Sequence, residues 1–235
     1  MNNIIQWLED NPAIATGHWQ APVGNSPLPE VEWFSQSAVY AAELHRLGVK
    51  QGDKIGLFFD NSPHFPAMLL AIWRLNAIAV PLSPKSMRQC QFTGATARGS
   101  DGCRIKLLIY GESTYEEVLI EWMRLCDGLA YSLEHFESRA AVSTAKHPSV
   151  KRYAEIQADD IAVYRLPDDG NAELSDAILT HRRILQLLAQ SGMDLQQGHS
   201  LPLPAFISNL LSLVTLPLPR KALSPTPDRV SAIPR

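Results

Sequence analysis

Four carboxylates lie close together in the sequence between Leu166 and Ala177. Their charges make this segment the most informative one about which ligands the protein can bind. The four residues are Asp168, Asp169, Glu173 and Asp176, and no lysine or arginine lies among them. Such a segment repels anions, because two like charges about 4 Å apart repel by roughly 4 kcal/mol at an effective dielectric constant of about 20. The residue types therefore predict a solvated acidic turn and no productive triphosphate site.

Other patterns that carry enzyme chemistry are missing from the sequence. G-x-G-x-x-G, G-x-x-x-x-G-K-[ST] and G-x-S-x-G do not occur, which removes the dinucleotide, Walker-type and nucleophile-elbow interpretations. No two of the seven histidines have metal-ligand spacing, so we expect surface or hydrogen-bonded side chains and no metal site. Glu116 and Glu117 point to different sides of a predicted helix and cannot act as a catalytic pair.

Composition narrows the class of protein. The chain has 235 residues, 46% of them hydrophobic, and a net charge of -3, which is ordinary for a globular protein and offers no basic stripe for nucleic acid. Three unpaired cysteines and the absence of a leader pattern in Met1 to Asp10 favour the cytoplasm. The longest apolar run, Ala205 to Leu216, is shorter than the roughly 20 residues of a membrane span and predicts a buried segment or a membrane-surface contact.

The elements that would position a site begin with a strand, a helix and a strand. Lys54 to Phe59 and Ile78 to Leu82 are short apolar runs, and Ala67 to Leu75 is helical, with Asn61, Ser62 and Pro63 as its predicted cap. That order predicts a right-handed parallel crossover.

The rest of the chain supplies further elements to the same layer. We predict a helix from Trp33 that ends at Gly48 and an amphipathic helix at Thr114 to Cys126. Strands are predicted at Lys106 to Tyr110 and at Asp160 to Tyr164, and a polar loop at 136–152. A last helix is capped by Thr180, runs to about Gln190 and closes at Gly192. The predicted class is α/β, a layered parallel-sheet lobe with flanking helices. The predicted divisions are an irregular N-terminal segment at 1–32, a partial α/β domain at 33–215 and a proline-rich disordered tail at 216–235.

Two stretches carry a family resemblance. Residues 43–84 contain G-V-x-x-G-D, N-S-P and A-x-x-V-P-L elements, and the acidic segment is framed by D-D-I-A-V at 159–163 and L-T-H-R at 179–182. This frame resembles the AMP-forming adenylating superfamily of acyl- and aryl-CoA synthetases, luciferases and peptide-synthetase adenylation domains. The resemblance implies the first part of that family's N-terminal domain, without the C-terminal lid.

The resemblance also implies which residues stand where the family binds ATP phosphates. Members place Y-T-S-G-[ST]-T-G-x-P-K-G between the two halves of the frame, a loop of glycines, hydroxyls and one lysine. Without a gap, T-S-G falls on Pro167, Asp168 and Asp169, and [ST]-T-G falls on Gly170, Asn171 and Ala172. The lysine falls on Ser175 and the next glycine on Asp176. We expect this degenerate loop to hold no cofactor.

Other family residues are also replaced or missing. The aromatic and histidine of L-P-x-[FY]-H, which line the acyl pocket in the family, fall on Pro204 and Ala205. His181 matches the family histidine after the phosphate loop, at a position that we interpret as a structural helix cap. The adenine, ribose and lid-lysine motifs are not found in this sequence, so we expect a truncated, degenerate member and carry over no catalytic residue.

Three hypotheses about function remain open at this stage. The first is a non-catalytic protein with at most a binding or scaffold role, whose partners would be a full-length ligase or an acyl carrier protein, or a second copy bound through an exposed apolar face. The second is a divergent or split acyl- or aryl-CoA (or acyl carrier protein) ligase, which would need ATP and Mg²⁺. The third is a gene remnant without function.

Overall fold

The computed structural model describes residues 3–11, 14, 33–58, 62, 64–83, 105–111, 119–120, 129–146, 155–165, 178–191 and 203–215. The helices are α1 (Ile4–Asp10), α2 (Trp33–Arg46), α3 (Phe65–Arg74), α4 (Leu133–Lys146), α5 (His181–Gln190) and α6 (Leu203–Thr215). The strands are β1 (Lys54–Phe58), β2 (Ile78–Pro81), β3 (Ile105–Tyr110), β4 (Leu129–Ser132), β5 (Ile161–Tyr164) and β6 (Ile178–Thr180).

The six strands form one mostly parallel sheet in the order β4-β3-β1-β2-β5-β6. All neighbours pair in parallel except β5 and β6, which are antiparallel. The central strands are apolar on both faces, as expected of parallel strands that are covered on both sides. The predicted α/β fold class, a parallel-sheet lobe with flanking helices, is confirmed.

The predicted crossover is present as β1, α3 and β2, although its helix begins differently from the prediction. Helix α3 starts at Phe65, and its N-cap is His64, whose side chain makes no capping hydrogen bond. Ser62 Oγ instead accepts a hydrogen bond from the His64 backbone N-H at 3.2 Å. Proline does stand in the first turn, but the residue that supplies it is Pro66.

Helix α2 and its ending are confirmed. After Arg46 the chain turns through Gly48, whose φ of +82° lies in the left-handed region that glycine adopts without strain. The N-H of Val49 then donates to the carbonyl of Leu44 at 3.0 Å and closes the turn.

The polar loop predicted at 136–152 is wrong for its first part. Residues Leu133–Lys146 form helix α4, which buries Phe136 and Ala140 completely. The buried face of this helix consists of one aromatic residue and small alanines, which is too weakly apolar to predict a helix in a polar sequence. Contacts with α2 therefore decide the structure of this segment.

Three further elements were not predicted, namely strands β4 and β6 and helix α1. Helix α1 lies within the segment predicted to be irregular, at 1–32, and buries Ile4, Ile5 and Leu8 in the main core. Asn3 begins this helix by accepting a hydrogen bond from Gln6 N, and its amide donates to the carbonyl of Ile156. The domain division itself stays a prediction.

Several predicted elements lie wholly or largely outside the described residues. They are the helix-closing Gly192, the tail at 216–235 and most of the helix at Thr114 to Cys126. Within that helix only Leu119 and Ile120 are described, and both are helical. The apolar run predicted to be buried is helix α6, whose Phe206, Ile207, Leu210 and Val214 are buried. No described helix is long and apolar enough to cross a membrane.

The sheet carries a core on each face. The larger core contains Ile55, Leu57 and Ala79 from the strands and the inward faces of the described helices. The smaller core, on the opposite face, contains Phe58, Val80, Leu82, Ile105 and Leu108. Gly56 faces this second core, where a Cβ would lie 3.0 Å from Leu108 Cδ1.

Candidate functional site

Strands β5 and β6 form the base of the segment that carries the candidate site. Tyr164 pairs with Ile178 and Val163 with Leu179, so residues 165–177 connect two adjacent antiparallel strands. The eight candidate positions themselves lie outside the described residues, and their assignment stays a prediction: Pro167, Asp168, Asp169, Gly170, Asn171, Ala172, Ser175 and Asp176.

The turn before β5 is joined to the start of α5 by backbone and side-chain bonds. The Arg182 N-H donates to the carbonyl of Ala158 at 2.7 Å, and the His181 N-H donates to the carbonyl of Asp160 at 3.2 Å. The Arg182 guanidinium binds both carboxylate oxygens of Asp159, at 2.6 and 2.8 Å. Hydrogen bonding to that guanidinium holds the pKa of Asp159 below its usual value. These contacts fix the start of β5 beside the end of β6, at the end of the strand pair opposite the connection.

Asp160 has a different structural role from its neighbour. Its Oδ2 accepts hydrogen bonds from the Gln157 backbone N-H and from Asn76 Nδ2, both at 2.7 Å. Asn76 adopts a positive φ of 52° after helix α3, and its amide also donates to the carbonyl of Glu155. The D-D pair of the sequence frame is thus explained by folding, since the Asp159 carboxylate joins this turn to α5 and the Asp160 carboxylate joins it to the end of α3.

His181 is fully buried and is the first residue of α5, while Thr180 is the helix cap. Thr180 Oγ1 accepts a hydrogen bond from Arg183 N at 3.2 Å, so the interpretation of His181 as the cap is wrong. Both ring nitrogens of His181 are buried without a hydrogen-bond partner among the described residues. Burial lowers the pKa of His181 to about 4, so the ring is neutral near pH 7. It packs edge-on against Trp73, with ring centroids 5.6 Å apart.

The positions that the sequence resemblance assigns to an acyl pocket fall in helix α6. The backbone at Pro204 and Ala205 is helical, and their side chains lie outside the described residues. Nearby, Phe206 stacks on Trp7 with ring centroids 5.4 Å apart, which attaches α6 to α1. Arg165, the first residue of the connection, donates from Nη1 to the carbonyl of Leu213 in α6 at 3.5 Å.

Two polar clusters between helices α2 and α4 were not found from the sequence. In the first, Tyr40, His64 and Glu137 bond to one another. In the second, the buried carboxylate of Glu43 binds Arg46 and Arg139. The partners from α2 and α4 stand about one hundred positions apart in the chain. No local pattern connects such residues.

The first cluster alters the acidity of its members. Burial, and then the hydrogen bond to Glu137, raise the pKa of Tyr40 above its usual value, so the phenol stays protonated. Burial alone would raise the pKa of Glu137, but hydrogen bonds from His64 and Tyr40 outweigh it and lower that pKa. In the described part of the chain, no three histidine, cysteine, aspartate or glutamate side chains come together as a metal site.

Solved structures with the same fold include proteins described as CoA ligases. The N-terminal domain of FACL13 from Mycobacterium tuberculosis gives a TM-score of 0.62 at 17% identity, over 91% of this chain and 55% of that one. The long-chain-fatty-acid-CoA ligase FadD1 from Archaeoglobus fulgidus gives a TM-score of 0.60 at 17% identity, over 81% of this chain and 40% of that one. The anthranilate CoA ligase AuaEII, in complex with anthranoyl-AMP, gives a TM-score of 0.58 at 17% identity, over 80% of this chain and 35% of that one. These identities show the fold alone.

The chain therefore spans between about a third and three fifths of the length of these and similar structures. No curated protein sequence matches it. The family model described as "AMP-binding enzyme" matches residues 32–164, which is more than half of the chain and includes β1, α3, β2 and β5. On this match, the chain belongs to the AMP-binding enzyme family.

Proposed function

We propose that this chain is an AMP-binding-domain-like protein that does not carry out ATP-dependent ligation and acts at most by binding a partner. The observation that carries the proposal is the charge of the connection between β5 and β6. Residues 166–177 contain four carboxylates and no cationic side chain, and their ends are fixed as neighbours by the pairing of Tyr164 with Ile178.

The physical argument is electrostatic. A phosphate loop works because glycine allows backbone N-H groups to approach phosphate oxygens, hydroxyls donate hydrogen bonds and a lysine balances the charge. In this connection acceptors and anions replace those donors at the family's positions, from Asp168 to Asp176. One like-charge contact of roughly 4 kcal/mol corresponds to about a thousandfold loss of affinity. A polyanion such as the triphosphate of ATP is therefore repelled.

The frame around this segment supports the same proposal. The Asp159–Arg182 ion pair and the bonds of Asp160 account for these residues by folding alone. Buried His181 is neutral and adds no positive charge near pH 7. Arg165, at the start of the connection, bonds to helix α6, and Arg182, which follows the far end of β6, is paired with Asp159, so both already have partners in the fold.

The partner remains a proposal that rests on the fold. We propose a full-length ligase or an acyl carrier protein as the partner, or a second copy of this chain. Among described residues, the large apolar side chains that are exposed are Ile120, Leu129 and Val142. Leu129 opens strand β4 at one margin of the sheet and Val142 lies on helix α4, which contacts that strand.

Exchange of labelled pyrophosphate into ATP tests the absence of ligation. The protein is incubated with ATP, Mg²⁺ and a panel of fatty and aromatic acids, alone and with candidate full-length ligases that are themselves inactivated. We expect no exchange above the rate without protein. Acid-dependent exchange by this chain, alone or in combination, would show that it is a ligase and would overturn the proposal.

A further inference from the structure

A histidine with a carboxylate behind it lies apart from the acidic connection. His64 Nδ1 is 2.8 Å from Glu137 Oε1 and 2.9 Å from the Tyr40 hydroxyl. The Tyr40 hydroxyl donates to the same Glu137 oxygen at 2.5 Å. The three residues come from α2, from the residue that precedes α3 and from α4, so packing of three elements fixes the geometry.

These contacts determine which nitrogen of His64 carries the proton. An ionised carboxylate only accepts hydrogen bonds, and the tyrosine proton is already directed at Glu137, so Nδ1 must be the donor. Nε2 of the neutral ring therefore keeps its lone pair. Within the described residues no hydrogen bond reaches Nε2, and it is not among the buried polar atoms without a partner. The His64 side chain is 23% exposed.

His64 and Glu137 also lie where α/β proteins commonly bind their ligands. His64 follows strand β1 and Glu137 lies in the second turn after β4, so both stand at the carboxyl ends of parallel strands. Ligands of open α/β sheets bind at this edge. A carboxylate that fixes the tautomer of a histidine and leaves the other nitrogen open is the arrangement that catalytic and metal-bound histidines share.

We propose that His64 Nε2 is a nucleophile that accepts acyl groups from neutral, activated acyl donors. In the reaction, the Nε2 lone pair forms a bond to the carbonyl carbon, and the bond from that carbon to the leaving oxygen or sulfur breaks with its electron pair. The Nδ1 proton, held by Glu137, passes to the leaving group. The products are a neutral N-acyl histidine and an alcohol, acid or thiol, so atoms and charge balance. This inference does not depend on the function proposed above.

Charge selects an acyl donor over a phosphoryl donor. An anionic phosphoryl group would approach Glu137, and the guanidinium of Arg139 on the same helix is already held by Glu43 at 3.0 Å. The first turn of α3 offers few free donors, because Phe65 N bonds to the Ser62 carbonyl and residue 66 is a proline. A neutral carbonyl group meets no such repulsion.

Diethyl pyrocarbonate is a suitable probe, because it is a neutral acyl donor whose histidine adduct can be mapped on peptides. The internal control is His135, an exposed histidine that stacks on Tyr131 and for whose ring the described residues supply no carboxylate partner. We expect His64 to be modified faster than His135 in the same sample, although His64 is less exposed. An equal or slower rate at His64 would overturn the proposal.

Two variants distinguish a Glu137 that positions His64 for reaction from a cluster that only stabilises the fold. Glu137→Gln and Tyr40→Phe each remove one member of the same cluster, but only the first removes the carboxylate behind His64. We expect Glu137→Gln to lower the His64-to-His135 ratio by roughly tenfold and Tyr40→Phe to leave it within about twofold. Equal losses in both variants would mean that the cluster is only structural. Incubation with phosphoramidate should leave His64 unphosphorylated, and its rapid phosphorylation would refute the choice of acyl donors.

Discussion

Asp159 and Arg182 form an ion pair with two bonds, Nε to Oδ1 at 2.6 Å and Nη2 to Oδ2 at 2.8 Å, that joins the turn before β5 to the first turn of α5. The pair lies at the end of β5 and β6 opposite the connection that carries the acidic segment. It is exposed to solvent, so its strength depends on salt.

A double-mutant cycle on this pair is the first prediction. Asp159→Asn and Arg182→Gln should each lower the midpoint of thermal unfolding slightly, and the double variant should lose less than the sum of the two. The coupling should fade in about 1 M NaCl, where the screening length falls to about 3 Å. Full additivity at low salt would show that the two residues do not support each other.

The second prediction concerns the pH dependence of stability through His181. Burial lowers its folded-state pKa to about 4, whereas an unfolded histidine titrates near about 6.5. Below that value the unfolded chain binds a proton that the folded chain refuses, so stability is complete above about pH 6.5 and falls towards pH 4. From pH 7 to pH 5 the loss from this residue is about 2 kcal/mol.

Urea unfolding at the two pH values measures this loss. His181→Gln is the matched variant, because glutamine has a similar volume and does not titrate. The difference in unfolding free energy between pH 7 and pH 5 should shrink by about 2 kcal/mol in the variant. An unchanged difference would place the pH sensitivity elsewhere.

The fold was predictable where sequence signals are local. The run from Lys54 to Leu82 combines short apolar strands with a helix, and the structure has the crossover there. Gly48 was recognised as a helix end because a left-handed residue after a helix is a local requirement. The apolar run at Asp160 to Tyr164 and the cap at Thr180 correctly predicted β5 and the helix that follows β6.

What the sequence did not predict depends on distant contacts. Helix α4 has a narrow apolar face and is held through Glu137 and Arg139, whose partners in α2 lie about one hundred residues earlier. Strand β6 has three residues and exists through its pairing with β5. The proposed nucleophile His64 carries no sequence signal, because its function would depend on Glu137.

The third prediction tests how α4 is attached to α2. The Glu43 carboxylate is fully buried and binds Arg46 at 2.7 Å and Arg139 at 3.0 Å. Arg46→Ala and Arg139→Ala each leave it one guanidinium, so each change should be mild. The double variant removes both of these guanidiniums, and breaking the ion pairs of a buried carboxylate costs roughly 3–5 kcal/mol.

Urea unfolding of the two single variants and the double variant makes this comparison. The double variant should lose clearly more stability than the sum of the single losses. Replacing Glu43 by glutamine in the double variant should recover part of the loss, since the buried charge is gone. A simple sum, with no recovery, would contradict the account of this cluster.

The fourth prediction concerns the close packing around Gly56. An added Cβ would lie 3.0 Å from Leu108 Cδ1 and 3.1 Å from Leu82 Cδ1. Gly56→Ala should therefore reduce the free energy of unfolding by about 1–3 kcal/mol. Adding Leu108→Val to that variant should restore part of the stability, because the shorter side chain withdraws the contacting methyl group.

Gly48→Ala is the control for this substitution. A Cβ added at Gly48 would have no atom of the described residues within 4 Å, but the φ of +82° strains any other residue. Leu108→Val should not improve that variant. Improvement of both variants would mean that the valine acts independently of Gly56.

The fifth prediction is that charge in the acidic connection controls its affinity for phosphate. Replacing Asp168, Asp169, Glu173 and Asp176 by the corresponding amides should raise the affinity for ATP at least about tenfold, since each lost repulsion exceeds about 1.4 kcal/mol. Adding Ser175→Lys should raise it again. An unchanged affinity in both variants would show that these positions do not face the nucleotide.

Equilibrium dialysis of the natural chain with labelled ATP and Mg²⁺ tests the central claim most directly. Because the connection between β5 and β6 carries four carboxylates and no cation between residues 166 and 177, we expect no saturable binding up to about 1 mM ATP. Saturable binding with a dissociation constant in the micromolar range would contradict the claim that this member of the AMP-binding enzyme family cannot hold ATP.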